Sequence, residues 1–232
     1  MNLASLFKTR SAWQFVATQG PETEDYGGNP APGKLHLCLQ NTPAGQCLED
    51  ITQAPPDTGG SNDGWEPHYL QIAQAIYPQG HSAAPLFKIV TASLAAGNGD
   101  QVVVTQLLDY KPASDTFERV YVHSTGTNNN QEVRFISSGP LAGSIVSSEP
   151  TRDAPYAYWI QVDSFTSNRA YRQVLRYRSA TRYNDGNSLA VIDSEMPNIG
   201  QHLGFWRPGM PLPLPEKACP KPRLVHTELW CN

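Results

Sequence analysis

From residue 86 onward the chain alternates between short apolar runs and polar turn segments. The runs span 86–94, 101–110, 117–123, 131–136, 143–149, 156–163 and 171–177, each rich in β-branched or aromatic residues. Between them stand AAGNGD, KPASD, STGTNNN, SSGPLA, PTRDAP and SFTSNRA, which are built from turn-forming residues. This spacing predicts an all-β protein: an antiparallel meander forming a sandwich, barrel or propeller-like sheet, with at most one or two short helices. Along 156–163, Tyr156, Tyr158, Ile160 and Val162 share one face, while Ala157, Trp159, Gln161 and Asp163 share the other. Residues 101–108 are apolar on both faces, which predicts a central strand. No repeat of fixed length emerges, so equal propeller blades are not favoured.

The first third is less regular. Residues 11–17 read as a strand with 35–40 as its partner, and 20–34 and 53–67 have loop composition throughout. The segment 68–77 is ambiguous. Leu70, Ile72, Ala73 and Ile76 fit a short helix, and Leu70 and Ile72 with the flanking aromatics fit a strand; it is the best helix candidate in the chain. At the other end, 204–215 alternates Pro211, Pro213 and Pro215 with Leu212 and Leu214. This predicts an extended strap packing its leucines on the body, the alternative being a docking peptide for a partner's aromatic groove. The expected organisation is one β-rich domain over 1–232, with 204–232 forming the strap and a disulfide-closed tail.

Composition sharpens this picture. Only 16% of the 232 residues are charged, against about 25% in ordinary soluble domains, and there are 18 Gly and 20 Pro. That balance excludes coiled coils and helical arrays, while 39% hydrophobic residues supply enough apolar surface for a core. No apolar run is long enough for a spanning helix. A formal net charge of −4 gives no global attraction to nucleic acid or anionic lipid.

The four cysteines form two close pairs, Cys38 with Cys47 and Cys219 with Cys231. Neither pair has the C-x₂-C spacing of a zinc ribbon. Two local disulfides are the favoured reading and imply an oxidising compartment, periplasmic or secreted. The alternatives are a bridge between the N-terminal arm and the C-terminal tail, or free buried thiols. Residues 1–8 are too short and too polar for a signal peptide's apolar region. Export therefore implies that a leader has been removed and a start Met supplied.

Catalytic signatures are absent: no G-x-S-x-G elbow, phosphate loop, G-x-G-x-x-G, H-E-x-x-H or C-x-x-C occurs, and the six histidines share no metal-ligand spacing. Three polar clusters remain. The first is Asn128, Asn129 and Asn130 followed by Glu132 and Arg134, read as a polar ligand site or as a tight turn with a strand ion pair. The second comprises 183–187, including Asp185, and then Asp193 and Glu195. It offers oxygens to a hard cation without matching an EF-hand loop, or else consists of solvated turn carboxylates. The third is a basic strand in which Arg172, Arg176, Arg178 and Arg182 share one face if 171–183 is extended. It is read as a fork for carboxylate, phosphate or sulfated glycan, or as a solvent face paired with Asp185, Asp193 and Glu195.

The motifs GNGDQVVVTQLL, TNNNQEVRFI, YRSATRYNDGN and AVIDSEMPNIG resemble a group of uncharacterised bacterial exported proteins, from about residue 11 to the end. The resemblance implies export and a bacterial source and supplies no catalytic residue. The leading expectation is a non-catalytic extracytoplasmic binding protein without cofactor or metal, presenting polar loops to a glycan, peptide or partner protein. Asn128, Asn129, Asn130, Glu132, Arg134, Arg176, Arg178, Arg182 and Asp185 are its candidate ligand residues. One alternative is a glycan or cell-wall hydrolase in which two of Glu132, Glu149, Asp185 and Glu195 face one cleft. Another is an inhibitor or immunity protein that plugs another enzyme.

Overall fold

Each apolar run between 86 and 177 becomes a strand of an antiparallel sheet. The computed structural model describes residues 1–41, 46–52, 66–182, 186–214 and 219–232. Among these, strand accounts for 42% and helix for 10%, as expected of an all-β, sandwich-like fold. The chain forms two compact units, one comprising 1–128 with 167–170 and the other 129–166 with 171–232.

The first unit opens with a single helical turn, α1 (Ala4–Phe7), and β1 (Gln14–Gln19), then a two-residue hairpin of β2 (Thr23–Glu24) and β3 (Pro30–Ala31). β4 (Leu35–Gln40) and β5 (Glu49–Asp50) complete a three-stranded sheet of order β1-β4-β5. A meander of β6 (Tyr69–Ile76), β7 (Leu86–Ala92), β8 (Val103–Lys111) and β9 (Thr116–Thr125) makes the four-stranded sheet. Period-2 patterning builds the core between these two sheets. Leu35, Leu37 and Leu39 of β4 meet Phe87 and Ile89 of β7, and Leu108, Tyr110 and Phe117 beyond them. Each such buried side chain stabilises by about 1.5–3 kcal/mol. β8 is internal and its stretch from Val104 to Tyr110 is buried throughout, as its two apolar faces predict.

The second unit carries β10 (Glu132–Phe135), β11 (Ile145–Pro150), β12 (Tyr158–Phe165) and β13 (Tyr171–Ser179) in that spatial order. One face of this sheet packs Val146, Ile160 and Val162 against Val191, Ile192 and Ile199 of α2 (Val191–Leu203). A hairpin of β14 (Pro222–Val225) and β15 (Glu228–Cys231) ends the chain. The buried Asn187 ties it to α2. Its Nδ2 donates to Ser194 Oγ and Leu229 O, and its Oδ1 accepts from Cys231 N–H. Both local disulfides are present, Cys38–Cys47 and Cys219–Cys231. They fit an oxidising compartment. Among the described residues no helix is long and apolar enough to cross a membrane.

Three expectations are corrected. The segment 68–77 is not a helix: β6 pairs with β7 from Tyr69↔Ala92 to Ile76↔Leu86, with a register shift between Leu70 and Ile72 that blurs its alternation. The long helix lies instead at 191–203, where Pro197 and Gly200 weaken local propensity. Gly200 is there for contact, since a Cβ would come within 2.6 Å of Trp206 Cβ. The strap's leucines do not both pack: Leu212 is half-buried and Leu214 is 47% exposed. Buried Trp206 holds the segment instead, its indole N–H donating to Pro211 O at 2.9 Å. Pro215 lies outside the described residues.

Candidate functional site

The asparagine run mostly serves its own backbone. Asp100 Oδ1 accepts from the N–H groups of Thr127 (2.8 Å) and Asn128 (2.9 Å). Asn129 and Asn130 take left-handed φ values of 58° and 54°, which asparagine tolerates better than most residues. Their carbonyls accept from Tyr158 OH and Ser148 Oγ. Glu132 and Arg134 lie on the face of β10 that α2 covers. Arg134 donates through Nε and Nη2 to Glu132 Oε1 and Oε2 (2.5 and 2.8 Å) and through Nη1 to Asp193 Oδ1 (2.5 Å). Burial works against the guanidinium charge, but these bonds and charges outweigh it and raise the pKa further above its ordinary value. Arg134 thus clamps β10 to the first turn of α2.

Glu195, expected near a solvated turn, is fully buried on α2. Its Oε2 accepts from Tyr177 OH (2.5 Å) and Asn198 Nδ2 (3.0 Å), and its Oε1 from the hydroxyls of Ser179 and Thr181. Four neutral donors satisfy this carboxylate without a cation. Tyr177 is pushed to a higher pKa by burial and then by the Glu195 charge. Half-buried Glu228 is raised for the same two reasons. With Asp193 on Arg134 and Glu195 sealed in the core, neither is available to a cation or to a polymer substrate. Glu132 is occupied by Arg134, and Glu149 lies on the opposite sheet face, beside Trp159. Asp185 falls outside the described residues. Among the described residues no group of three or more His, Cys, Asp or Glu is placed to hold a metal.

The basic strand is different, because it faces outward. Register places Arg178 opposite Trp159 and Arg176 opposite Gln161, so these four share the face turned away from α2. The Arg176 guanidinium stacks 4.5 Å from the centroid of Trp159. That of Arg178 lies 4.5 Å from Tyr156 and 5.5 Å from Trp159. Arg178 also meets the exposed Asp153 at 3.3 Å. Stacking fixes a guanidinium plane while leaving its N–H edges free to fork onto an anion.

Two expectations about this strand change. A bulge opposite Val162/Asp163 pairs Arg172 with Ser164 and Gln173 with Asp163, which moves Arg172 to the other face. β13 ends at Ser179, so Arg182 lies beyond it, exposed. The Asn turn and the Arg strand do not form one concave surface. β10 and β13 are the two edges of the sheet, about 14 Å apart at ordinary strand spacing, and Arg134 and Arg176 sit on opposite faces. Tyr156 and Trp159 were absent from the sequence-derived candidates. The signal for Trp159 was its place on the outward face of the 156–163 alternation.

No protein-family model, curated protein or solved structure matches the chain.

Proposed function

We propose that the protein is a non-catalytic binding protein of an oxidising, extracytoplasmic compartment. Its site is the Arg176/Arg178 face of β13, and its ligand is an acidic glycan bearing carboxylate or sulfate groups. The observation that carries this reading is the stacked set Arg176–Trp159 and Arg178–Tyr156 on an exposed face. Of the carboxylates expected to neutralise it, Asp193 is committed to Arg134 and Glu195 to neutral donors; on the face itself Arg178 meets the exposed Asp153 and Glu149 stands beside Trp159. Two arginines two residues apart on one face stand about 7 Å apart, suited to successive anionic groups on a linear polymer. The disulfides support the choice of glycan over nucleic acid, since they favour compartments where nucleic acid is scarce.

The edge position of β13 favours a second reading, in which its arginines only prevent edge-to-edge pairing of sheets. Calorimetric titration with a sulfated oligosaccharide separates the two. Arg176→Ala with Arg178→Ala should weaken binding at least tenfold, while Arg207→Ala with Arg223→Ala should not. If the first pair leaves affinity intact and instead makes the protein aggregate, the edge-protection reading replaces the binding one.

A further inference from the structure

The first unit contains a groove that the Arg face does not involve. It has a volume of about 740 Å³ and is bordered by the β2–β3 hairpin on one side and by segments 93–96 and 100–102 on the other. That size lies within the range of small-molecule sites. Its wall is close-set backbone: a Cβ on Gly33 would fall 1.8 Å from Pro21 O, and Gly20 N–H donates to Lys34 O at 2.8 Å.

Several acceptors open to this groove. His68 is 7% exposed, and its Nδ1 lies 2.7 Å from Pro32 O. A carbonyl only accepts, so Nδ1 carries a proton, and in the neutral imidazole this leaves Nε2 as an acceptor. No protein donor meets that lone pair among the described residues. Gln101 Nε2 donates to Ser93 O, leaving Oε1 as an acceptor. Glu22 and Glu24 line the groove and pair with no described residue. Asp25 is spent on its own turn and Asp100 on Thr127 and Asn128, both held below the ordinary carboxylate range by backbone donors that outweigh burial. Lys34, the one lysine in the lining, is tied to Glu66 at 2.5 Å. Tyr26, 78% exposed, adds an aromatic face of the kind that attracts cations.

Bare acceptors and free carboxylates around a buried imidazole lone pair call for a ligand rich in N–H donors and positively charged. We infer that this groove binds a small linear oligoamine, with ammonium groups on Glu22 and Glu24 and one N–H on His68 Nε2. It is a second site, independent of the Arg face and selective for the opposite charge.

The test is calorimetric titration of the whole protein with spermine, together with ¹⁵N spectra of the histidine rings. One-to-one binding should occur, and the His68 Nε2 resonance should move on titration. Glu22→Gln with Glu24→Gln should weaken binding at least tenfold. The control, Asp50→Asn with Glu118→Gln, removes two exposed carboxylates outside the groove (58% and 60% exposed) and should leave affinity unchanged. Three outcomes would overturn the inference: no binding, equal weakening by both double variants, or binding with the His68 resonance unmoved.

Discussion

At the scale of single residues, polar side chains are read correctly only once their partners are known. Asp115 illustrates this. It sits in a β-turn with φ 53° and accepts from Ser11 Oγ (2.5 Å), Tyr110 OH (2.6 Å) and Trp13 Nε1 (3.3 Å). The Ser11 and Tyr110 bonds, in that order, hold its carboxyl down at about 2. A depressed folded-state value means that its stabilisation is present above the unfolded pKa near 4 and is lost as pH falls through 2. Asp115→Asn should therefore lower the melting temperature at pH 7 and flatten its fall between pH 4 and 2, as followed by circular dichroism. Glu195 belongs to the same class. Glu195→Ala would orphan the hydroxyls of Tyr177, Ser179 and Thr181 and the amide of Asn198 in the core. Urea unfolding should then show a loss of roughly 3 kcal/mol or more, and Glu195→Gln, which keeps one acceptor oxygen, should cost less. A loss within about 0.5 kcal/mol, the level of a surface change, would mean that Glu195 is not the hub of that network.

At the scale of elements, legibility followed the simplicity of the physical signal. Strands with turn-bounded ends, such as 35–40 and 171–177, appear within a residue or two of their expected positions. The failures have identifiable causes. β6 carries a register irregularity that made a period-2 pattern imitate a helix. α2 holds Pro197 and Gly200, and its stability comes from Val191, Ile192 and Ile199 packing on the sheet, so tertiary contact overrode propensity. A bulge in β13 reassigned Arg172 because one extra residue reverses every side chain beyond it. The clamp of Arg134 on Asp193 joins residues 59 apart in sequence, and no local pattern encodes that distance. The cysteine pairs were legible because short loops close at small entropic cost. Removing the second bridge by Cys219→Ser with Cys231→Ser should lower stability by roughly 2–3 kcal/mol in the chain-entropy model. The loosening should appear as faster hydrogen exchange in β14, β15 and the first turn of α2, which Asn187 links to that hairpin. Unchanged exchange there would show that Asn187 and packing suffice without the bridge.

At the scale of the whole molecule, a net charge of −4 conceals local fields of opposite sign. Carboxylates gather at the groove of the first unit, and guanidinium groups at the outer face of β13 in the second. Affinity for an anionic polymer must then come from a fixed stripe rather than from bulk attraction, and it should weaken as salt screens the charges. Stacking on Trp159 and Tyr156 lets the arginines retain directional N–H contacts that screening alone does not remove. The most direct test is an NMR titration of the ¹⁵N-arginine-labelled protein with a heparin-derived hexasaccharide, following the arginine Nε–H and tryptophan indole resonances. The account predicts saturable shifts at Arg176, Arg178 and Trp159, while Arg134, closed on Glu132 and Asp193, stays still. Saturation with the Arg176, Arg178 and Trp159 resonances unmoved, or no binding at all, would contradict it.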